Sequence, residues 1–554
     1  MEPNDALYKA FLAELESLEK FRMGYSALHP AAPLDREDPD VRRLTEALAL
    51  FSARTRLASQ RAVARSTQRL FQQHFPYVLG PVPAMAMLQA VPATSFVDTT
   101  ELPRGTRFLL TPQGTEGRQG PLSFRTLAPL RILPLRLRQL YLMPRGVAGA
   151  RLLLEFESHF PRNDTLGTLS LYVNYLNELL SSLAVHHHLK KTLRAASVFF
   201  DERITEEAQG QPCEVRFGAP PTPASQVESF DHPLQSFRTF CHFPQQELFM
   251  SVSLPVPPRN WRRFTLCLDL GARWPKDWAL TPETFVLHAV PAVNLQRQMS
   301  NPLEHDGTKE HHSIQHPEPG GGYRVHSVLG VYQMEGQGLV PLRPSALSGG
   351  AGTSELEHEG QGPTRKTRLT LNQPGAFSKP VRVAMEAWWY QPLSPDAQPS
   401  SYRVGLAERF LEGLAWSTVG AIIPSRDSRL EHDSQGLLQL LSIRNQRFLQ
   451  LEDLGFLLDA LGVNDERYFR PVAERLSSVE VRSMPFAKSA TGFKYLYQLT
   501  LSELAPLLVP TLDLFAARLL ELLRAWSTEE VVELEVKLPH LDQELHYPAR
   551  EAAQ

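Results

Sequence analysis

Residues 38–83 constrain the fold more than any other part of this sequence. The stretch opens on Asp-Pro-Asp, which is typical of a helix start, because Asp38 can accept from free backbone N–H groups and Pro39 suits the first helical position. It closes on Gly80-Pro81, a pair that ends helices and opens extended segments. The stretch therefore predicts a long helical hairpin that leads into strands separated by prolines.

Two apolar stripes run along this predicted hairpin, each with the three- and four-residue spacing of an amphipathic helix. The first stripe consists of Leu44, Leu48, Phe51 and Thr55, and the second of Val63, Thr67, Leu70, Phe71 and Phe75. Seven arginines lie between the stripes, at positions 42, 43, 54, 56, 61, 65 and 69. Apolar seams with basic flanks indicate an assembly module whose arginines face solvent or line the rim of an interface with acidic partners.

After Met85 the apolar spacing changes from the helical period to a period of two. Alternating segments such as residues 264–270 predict antiparallel strands with one buried face. The 45 prolines argue against an all-helical body and favour short strands joined by rigid turns. We therefore predict an α+β fold, in which an N-terminal helical region is followed by several mostly antiparallel β-rich domains with interspersed helices.

Changes in composition predict five segments along the chain. The N-terminal helical assembly region covers residues 1–84. One β-rich domain with a single helix covers 85–225, and a second β-rich domain covers 226–345. The Gly/Glu-rich stretch 346–368 predicts a flexible loop. Residues 369–554 form the last predicted segment, an α+β domain that closes on a strand, a helix and a strand.

The overall composition excludes several classes of protein. A formal charge of −3 and a pI near 6.7 give no general attraction to nucleic acid or anionic membranes. The 3 cysteines form no Cys-x-x-Cys pair, which argues against a disulfide framework or a cysteine zinc site. No apolar run approaches the roughly 20 residues that span a bilayer, and the acidic N-terminus does not predict a signal peptide. We expect a cytoplasmic protein with no nucleic-acid partner and no direct membrane insertion.

Residues 38–85 resemble the TssF family, also called VasA or ImpG, whose members are baseplate wedge subunits of type VI secretion systems. The resemblance is carried by the helix start Asp38-Pro39-Asp40-Val41-Arg42-Arg43-Leu44 and by Phe51-Ser52-Ala53-Arg54. It continues through the proline-rich exit that begins at Phe75-Pro76 and ends at Met85. The chain is similar to this family in the identities of these residues as well as in the spacing of its apolar residues.

Further motifs of the same family follow downstream. Residues 237–249 resemble its aromatic Phe-Pro signature, and Val-Pro-Ala-Val-Asn-Leu at 290–295 resembles its Pro-Val-Val-Asn-Leu run. Residues 323–328 match its Tyr-x-Val-x-Ser-Val pattern. The resemblance covers most of the chain; it is sharp at 38–85 and 237–334 and faint after residue 370.

The resemblance implies a non-enzymatic structural subunit of the type VI secretion baseplate. Family members assemble with TssG, TssK, TssE and a second copy of themselves into wedges that nucleate the contractile sheath and the inner tube. The implied location is cytoplasmic, docked at the inner membrane through the secretion apparatus. As a hypothesis, part of the N-terminal stretch forms the seam of a helical bundle shared with TssG. The predicted interface residues are Leu44, Leu48, Phe51, Arg54, Phe71 and Phe75.

Three other stretches have residue types that occur in metal or phosphate sites, and each is also compatible with a solvated loop or helix face. The histidines at 186–188 follow one another on a predicted helix, where they diverge by about 100° and cannot converge on one metal. The loop with Glu304, His305, Asp306, His311, His312 and His316 has metal-ligating residue types but no ligand spacing on a helix. The glycines at 349–352 lack the Gly-Lys-Ser/Thr of a phosphate loop. We predict no catalytic residue, no metal and no cofactor.

Two alternatives stay open on the sequence. The same residues could serve a wedge protein of a contractile particle that resembles a phage tail and is not anchored to a membrane. A β-rich carbohydrate-active or metal-binding protein is a further alternative, and it would require clustered carboxylates or a metal in one pocket.

Overall fold

The computed structural model of the chain describes residues 3–31, 35, 38–74, 76–113, 120–144, 149–201, 204, 210–220, 232–275, 278–336, 338–345, 348, 350–359, 365–394, 401–444, 446–465, 467–486, 492–527 and 531–548. The chain divides into two compact units. The first unit consists of residues 1–76 and 430–441, and the second of residues 77–429 and 442–554.

The described helices are unevenly distributed, and the two longest come first in the chain. They are α1 Pro3–Leu28, α2 Pro39–His74, α3 Pro76–Leu79, α4 Leu179–Thr192, α5 Pro233–His242, α6 Ser434–Arg444, α7 Leu451–Ala460, α8 Arg470–Ala473 and α9 Val509–Trp526. Within the described part of the chain, no helix is both long enough and apolar enough to cross a membrane.

The strands begin at Met85, where the sequence predicts the change of period. The first group is β1 Met85–Pro92, β2 Thr100–Leu102, β3 Arg107–Gln113, β4 Leu122–Thr126, β5 Leu130–Ile132, β6 Leu135–Pro144, β7 Gly149–Arg162, β8 Thr168–Val173, β9 Leu193–Phe200, β10 Gln211–Pro212, β11 Glu214–Phe217, β12 Phe249–Ser253, β13 Trp261–Gly271, β14 Phe285–Leu287 and β15 Ala289–Val293. The second group is β16 Gln296–Met299, β17 Leu303–His305, β18 His312–Ser313, β19 Arg324–Glu335, β20 Gly338–Pro344, β21 Thr353–Glu359, β22 Lys366–Asn372, β23 Val381–Tyr390, β24 Ser401–Leu406, β25 Leu414–Ile423, β26 Leu476–Pro485, β27 Phe493–Leu501, β28 Val531–Leu538 and β29 Gln543–Tyr547.

Helix α2 begins as predicted but does not form a hairpin. Asp38 Oδ1 accepts from the backbone N–H of Asp40 at 2.9 Å, and Asp38 O accepts from Arg42 N at 3.0 Å, so Asp38 caps the helix. The helix then continues for 36 residues to His74 without a break. The predicted hairpin within 38–83 is therefore wrong: no glycine or proline lies between Asp40 and His74, and both apolar stripes lie on one helix.

Three β-rich layers make up most of the second unit. One is a six-stranded antiparallel sheet in the order β24-β3-β4-β15-β1-β25. The next is a sandwich, in which a five-stranded sheet, β10-β9-β13-β7-β6, shares one apolar core with a four-stranded sheet, β11-β12-β8-β14. The third is an eight-stranded sheet, β16-β23-β19-β20-β21-β22-β18, with β17 also paired to β23.

The stretch 346–368 is not simply the flexible loop that its composition predicts. Residues 353–359 form β21, which pairs with β22 in antiparallel register over its whole length. Thr353 and Ser354 are buried, and Leu356 packs against the core of the eight-stranded sheet. Alternation of Leu356 with flanking glutamates is the pattern of an amphipathic strand, which the glycines and acids around it conceal.

The C-terminal part of the second unit contains a β-α-β crossover. Strands β27 and β28 are parallel neighbours in the sheet β26-β27-β28-β29, and α9 connects them. Leu519, Leu523 and Trp526 bury one face of α9. The sequence predicts this strand, helix and strand, because the helix carries an apolar face and the strands are rich in β-branched and aromatic residues.

Several motif residues are structural joints between these layers. Asn294 is buried; its Nδ2 donates to Ser123 O at 3.0 Å, and its Oδ1 accepts from Gln391 N at 2.6 Å. His326 Nε2 lies 3.0 Å from Pro81 O, and Arg238 donates to Gly80 O at 2.9 Å. The segment that leaves the helices at Gly80-Pro81 is thus held by two buried side chains from later in the chain, one histidine and one arginine.

The predicted fold class is confirmed: helices come first, and mostly antiparallel sheets with interspersed helices follow. Among the described strands, the parallel pairs are β20 with β21 and β27 with β28. Strand β23 shows why residues 388–390 are aromatic, since Trp389 enters the core of the eight-stranded sheet while Trp388 and Tyr390 enter the adjoining apolar cluster. The domain boundaries proposed at residues 84, 225 and 345 stay predictions.

Candidate interaction surface

Helices α1 and α2 of the first unit lie side by side, and we call them the helix pair. Small side chains form the side of α2 that faces α1: Ala49 and Ala53 are completely buried. Beside them, Ser52 Oγ donates to Glu14 Oε2 at 2.9 Å, and Arg56 donates to Glu14 Oε1 at 2.9 Å. The contact between the two helices is therefore built on alanine and polar groups, and we call it the helix seam.

The contacts of the helix pair advance in the same direction along both helices. Leu7 and Phe11 of α1 line one groove with Ala47 and Leu50 of α2. Glu14, further along α1, reaches residues further along α2. The contacts therefore join residues 7–14 of α1 to residues 43–56 of α2.

Glu14 is the polar centre of this seam. The hydrogen bond from Arg56, followed by that from Ser52, holds the pKa of Glu14 below its ordinary value. The carboxylate is consequently ionised at neutral pH and can accept from both α2 donors at once. Glu14 thereby fixes the position of α1 along α2.

The first apolar stripe of α2 lies away from the seam. Leu44, Leu48 and Phe51 are 64%, 56% and 71% exposed, and we call these three residues the outer stripe. They follow one another at intervals of four and three residues, so their side chains form one continuous apolar strip along the helix. A contiguous exposed apolar surface of this kind is typical of a protein–protein interface.

A second apolar surface lies between the two helices. It is a groove of about 550 Å³, and Arg43 and Glu46 flank it. Its apolar lining consists of Leu7, Tyr8, Phe11, Ala47 and Leu50. The groove and the outer stripe are on different sides of α2, because residues 47 and 50 are offset from 44, 48 and 51 around the helix.

The charges of α2 differ between its two ends. Near the N-terminus acids and arginines pair: Arg42 Nε lies 2.9 Å from Glu46, and Arg43 lies 3.8 Å from Asp40. From residue 47 to residue 74 the sequence has five arginines and no aspartate or glutamate. Arg54 and Arg56 belong to this basic part, and both are exposed. A partner that lies along α2 would therefore meet positive charge beside the outer stripe.

The structure separates the six predicted interface residues. Leu44, Leu48, Phe51 and Arg54 are exposed on α2. Phe71 is completely buried within the chain, so its side chain offers no surface to a partner, and this part of the prediction needs correction. Phe71 follows the same helical spacing as the other apolar residues of α2. This spacing alone does not show whether an apolar stripe is buried by the chain itself or exposed to a partner. Phe75 lies outside the described residues.

The histidine-rich loop places its side chains in different environments. His305 Nδ1 and His312 Nε2 are hydrogen-bonded at 2.9 Å. His311 Nδ1 lies 2.9 Å from the hydroxyl of Thr370, and His316 stacks on Tyr323 with 3.8 Å between ring centroids. In the part of the chain that the structure describes, no group of three or more His, Cys, Asp or Glu side chains could hold a metal ion.

The groove could not be predicted from the sequence. Leu7 and Phe11 have the four-residue spacing of an apolar helix face, but this spacing does not show which residues of α2 lie beside them. Nothing in the spacing of either helix shows that Ala47 and Leu50 lie beside these residues. The small residues Ala49 and Ala53 are the signal that could have located the seam, because helices approach closest where side chains are smallest.

The fold is similar to two solved structures. One is a structure of the type VI secretion system TssK-TssF-TssG baseplate subcomplex, determined by cryo-electron microscopy; the TM-score is 0.74 at 16% sequence identity, over 93% of this chain and 99% of the matched chain. The other is a structure of the baseplate complex from the type VI secretion system, with a TM-score of 0.61 at 16% identity, over 98% of this chain and 100% of the matched chain. At this level of identity the likeness concerns the fold.

The sequence also matches a family model. A comparison with curated proteins gave no match. The family described as "Type VI secretion system, TssF" matches residues 4–358, well over half of the 554 residues. That range contains the helix pair, the six-stranded sheet up to β15, the sandwich and most of the eight-stranded sheet. The chain therefore belongs to the TssF family of type VI secretion system proteins.

Proposed function

We propose that this chain is a non-enzymatic structural subunit of a type VI secretion baseplate wedge, and that its outer stripe binds TssG. The observation that carries the proposal is the exposure of Leu44, Leu48 and Phe51 on a helix whose other side is already packed. Family membership and the baseplate structures of similar fold support the same assignment. TssK, TssE and a second copy of the chain are the further partners in this proposal, and its location is cytoplasmic, docked at the inner membrane through the apparatus.

The size of the apolar surface favours a helical partner. Burying one Leu or Phe side chain contributes about 1.5–3 kcal/mol, so the outer stripe supplies a substantial part of a stable interface. Stable interfaces bury about 1,200–2,000 Å² in total, more than three side chains provide. The groove beside Leu7 and Leu50 offers additional apolar surface on the same helix pair. A partner that inserts one amphipathic helix along α2 would cover the outer stripe over its whole length.

The charges along α2 favour an acidic rim on that partner. Arg54 follows Phe51 of the outer stripe by three residues and is exposed, whereas Arg56 contacts Glu14. Exposed ion pairs across a rim contribute about 0.2–1 kcal/mol each, and they mainly affect the association rate and its dependence on salt. Arg54→Glu should therefore slow TssG association at low salt by a few-fold, and the difference should shrink at high salt.

The decisive experiment replaces the apolar strip by charge. Leu48→Asp together with Phe51→Asp would bury two unpaired carboxylates in the proposed interface, so copurification of TssG should be lost. Both side chains are exposed in this chain, so the variant should keep its circular dichroism spectrum and its elution volume. The matched control is Val256→Asp with Phe410→Asp, which changes two even more exposed apolar residues of the second unit.

The outcomes separate clearly. Loss of TssG from the α2 variant alone supports the proposed surface. Retention of TssG by a folded α2 variant would refute it, and loss from both variants would show a general effect of added charge.

Stoichiometry is a second test of the wedge proposal. Coexpression of this chain with TssG, TssK and TssE, followed by native mass spectrometry, should yield a complex with two copies of this chain. A monodisperse monomer under those conditions would contradict the scaffold role. A complex with TssG and TssK but without TssE would remove TssE from the proposed set of partners.

A further inference from the structure

The eight-stranded sheet of the second unit brings its two end strands together. Strands β16 and β17 both pair with the same edge of β23, and β18 pairs with β22 at the other end of the strand order. Only residues 306–311 separate β17 from β18 along the chain. The sheet therefore curves until residues 301–305 lie beside residues 312–316, and we call this junction the seam.

Few hydrogen bonds hold the seam. Asn301 N donates to Gln315 O at 2.9 Å, and Asn301 Nδ2 donates to His316 O at 3.3 Å. At the other end, His305 Nδ1 and His312 Nε2 are 2.9 Å apart. Among the described strands, β17 and β18 share no backbone ladder. At one end of the seam, a hydrogen bond between two histidine side chains thus holds together two strands that backbone hydrogen bonds would hold elsewhere in the sheet.

A hydrogen bond between two imidazole nitrogens needs one proton. When both rings are neutral, one nitrogen donates and the other accepts. When the accepting ring gains a proton, two N–H groups face each other and the bond is lost. His312 is buried, so a new charge on its ring would also lie away from water, which is costly without a partner.

We propose that the His305–His312 pair is a pH-sensitive latch, which closes the seam of the eight-stranded sheet when neutral and releases residues 303–316 when protonated. The sheet core behind the seam contains Leu303 and Ile314, which stay half-buried only while the seam is closed. Release would expose these side chains and free the edges of β17 and β18. This inference does not depend on the proposed interface of the helix pair, which is in the other unit.

Burial and the charged groups around the pair together set the direction of the pH effect. From the connecting loop, Lys309 and His311 disfavour a positive charge on His312, and Asp306 favours it. On the flanking strands, Glu304 of β17 lies opposite Arg382 of β23, and Arg368 is on β22. All three alternate with buried positions along their strands and therefore lie on the outer face of the sheet. Burial, then the neighbouring His305 and Lys309, hold the pKa of His312 below its ordinary value.

The sign follows from linkage. A histidine whose pKa is lowered by folding binds fewer protons in the closed state than in the open one. The closed seam is therefore fully stabilised above the ordinary histidine pKa of about 6.5, and it weakens as the pH falls from there toward the lowered value. Each pH unit within that window changes the closed-to-open ratio by up to about tenfold.

Hydrogen–deuterium exchange of the full chain tests the latch. Protection factors of residues 303–316, corrected for intrinsic exchange, are compared at about pH 7.5 and about pH 5.5, on either side of the ordinary histidine pKa. We expect a fall of up to about tenfold in these residues, with β27 and β28 unchanged as internal reference. Equal protection at both pH values would overturn the proposal.

Two variants assign the effect to the pair. His312→Gln keeps a side chain that can donate and accept but cannot gain a proton, so the pH dependence should disappear. His305→Gln tests the same bond from the other strand. His311→Gln, in the same loop but bonded to Thr370, is the matched control and should keep a pH-dependent fall in protection. A full pH-dependent fall in His312→Gln or His305→Gln would refute the assignment. If both glutamine variants lose protection at neutral pH while His311→Gln does not, the pair closes the seam, and the wild-type comparison alone decides the pH dependence.

Discussion

Single buried polar residues determine how the layers of the second unit meet. Asn294 joins the end of β15 to β4 through Ser123 and to the end of β23 through Gln391. Gln391 in turn donates to Pro121 O at 3.1 Å and to Gly321 O at 2.7 Å. Every atom of the Asn294 amide is therefore used in a place without access to water. This explains physically why an asparagine follows the apolar Val-Pro-Ala-Val run.

Asn294→Ala should destabilise the second unit. The change leaves Ser123 O without its donor and Gln391 N without its acceptor, both in a buried place, so we expect a loss of about 1–3 kcal/mol in the free energy of unfolding. Urea denaturation measures it. Asn372→Ala is the control, because its amide donates to Gly350 O on the exposed surface and should cost less than about 0.5 kcal/mol. Equal losses for the two variants would show that the Asn294 network does not act as a joint.

Asp513 is a buried carboxylate shared by three elements. Tyr547 donates to its Oδ1 at 2.9 Å, His187 Nδ1 lies 3.3 Å from Oδ2, and Lys190 and Lys191 lie at 3.6 Å and 3.5 Å. Burial alone would raise the pKa of Asp513, but the contact with His187 and the two lysine charges hold it below its ordinary value. The site connects α4, α9 and β29.

Asp513→Asn should remove this connection at neutral pH. We expect a loss of about 1–3 kcal/mol by urea denaturation, and a smaller loss for Tyr547→Phe, which removes one of the contacts. Because the folded pKa is lowered, the contribution is complete above the unfolded value of about 3.9 and disappears as the pH falls through the folded value. The difference between wild type and variant should thus not shrink as the pH falls from about 7 to about 5. A difference that shrinks within that range would contradict the ionised state assigned to Asp513.

At the scale of elements, the helix pair shows where spacing informs and where it does not. The start of α2 at Asp38 was predictable, because capping chemistry is local. The stripe Leu44, Leu48, Phe51 was also predictable, but spacing could not show that the chain leaves it exposed while it packs Ala49 and Ala53 against α1. Which stripe a helix buries depends on tertiary contacts that lie outside the local sequence. The same reason explains why Phe71 was placed in the interface although it is buried.

Ala53→Leu should separate the helix pair. The extra carbon atoms enter the contact between α1 and α2, where Ala53 is completely buried. The change should therefore cost about 1–3 kcal/mol and increase amide exchange along α1. Hydrogen–deuterium exchange of the full chain measures it. Ala58→Leu, on the exposed side of the same helix, is the matched control and should leave α1 unchanged. Unchanged amide exchange in α1 of Ala53→Leu would mean that α1 and α2 are packed less closely around Ala53 than the structure shows.

At the scale of the whole molecule, the chain order and the spatial order differ. The strand, helix and strand at the C-terminus were predictable because consecutive elements pair. The addition of residues 430–441 to the unit formed by residues 1–76 was not, since no local pattern connects segments so far apart. The weak family resemblance after residue 370 agrees with the family model, which ends at residue 358. Residues 237–334, where the resemblance is sharp, supply buried aromatic side chains such as Phe240 and Phe249 and joints such as Asn294.

Division into two units predicts that damage to one leaves the other folded. Leu523 is completely buried on α9, so Leu523→Ala should cost the second unit about 2–5 kcal/mol. Exchange measured by unit should show loss of protection in β27 and β28, with α2 unchanged. Equal loss of protection in α2 would show that the two units unfold as one.

The composition of the first unit has a consequence for synthesis on the ribosome. Residues 430–441 complete this unit, but they are translated about 350 residues after its long helices. At roughly 5–20 residues per second, the nascent helices wait on the order of 20–70 s for this segment. During that interval the nascent helices expose both the outer stripe and the surface that residues 430–441 later cover. A chaperone, or a partner translated nearby, would therefore encounter these helices with more exposed apolar surface than they have in the finished chain.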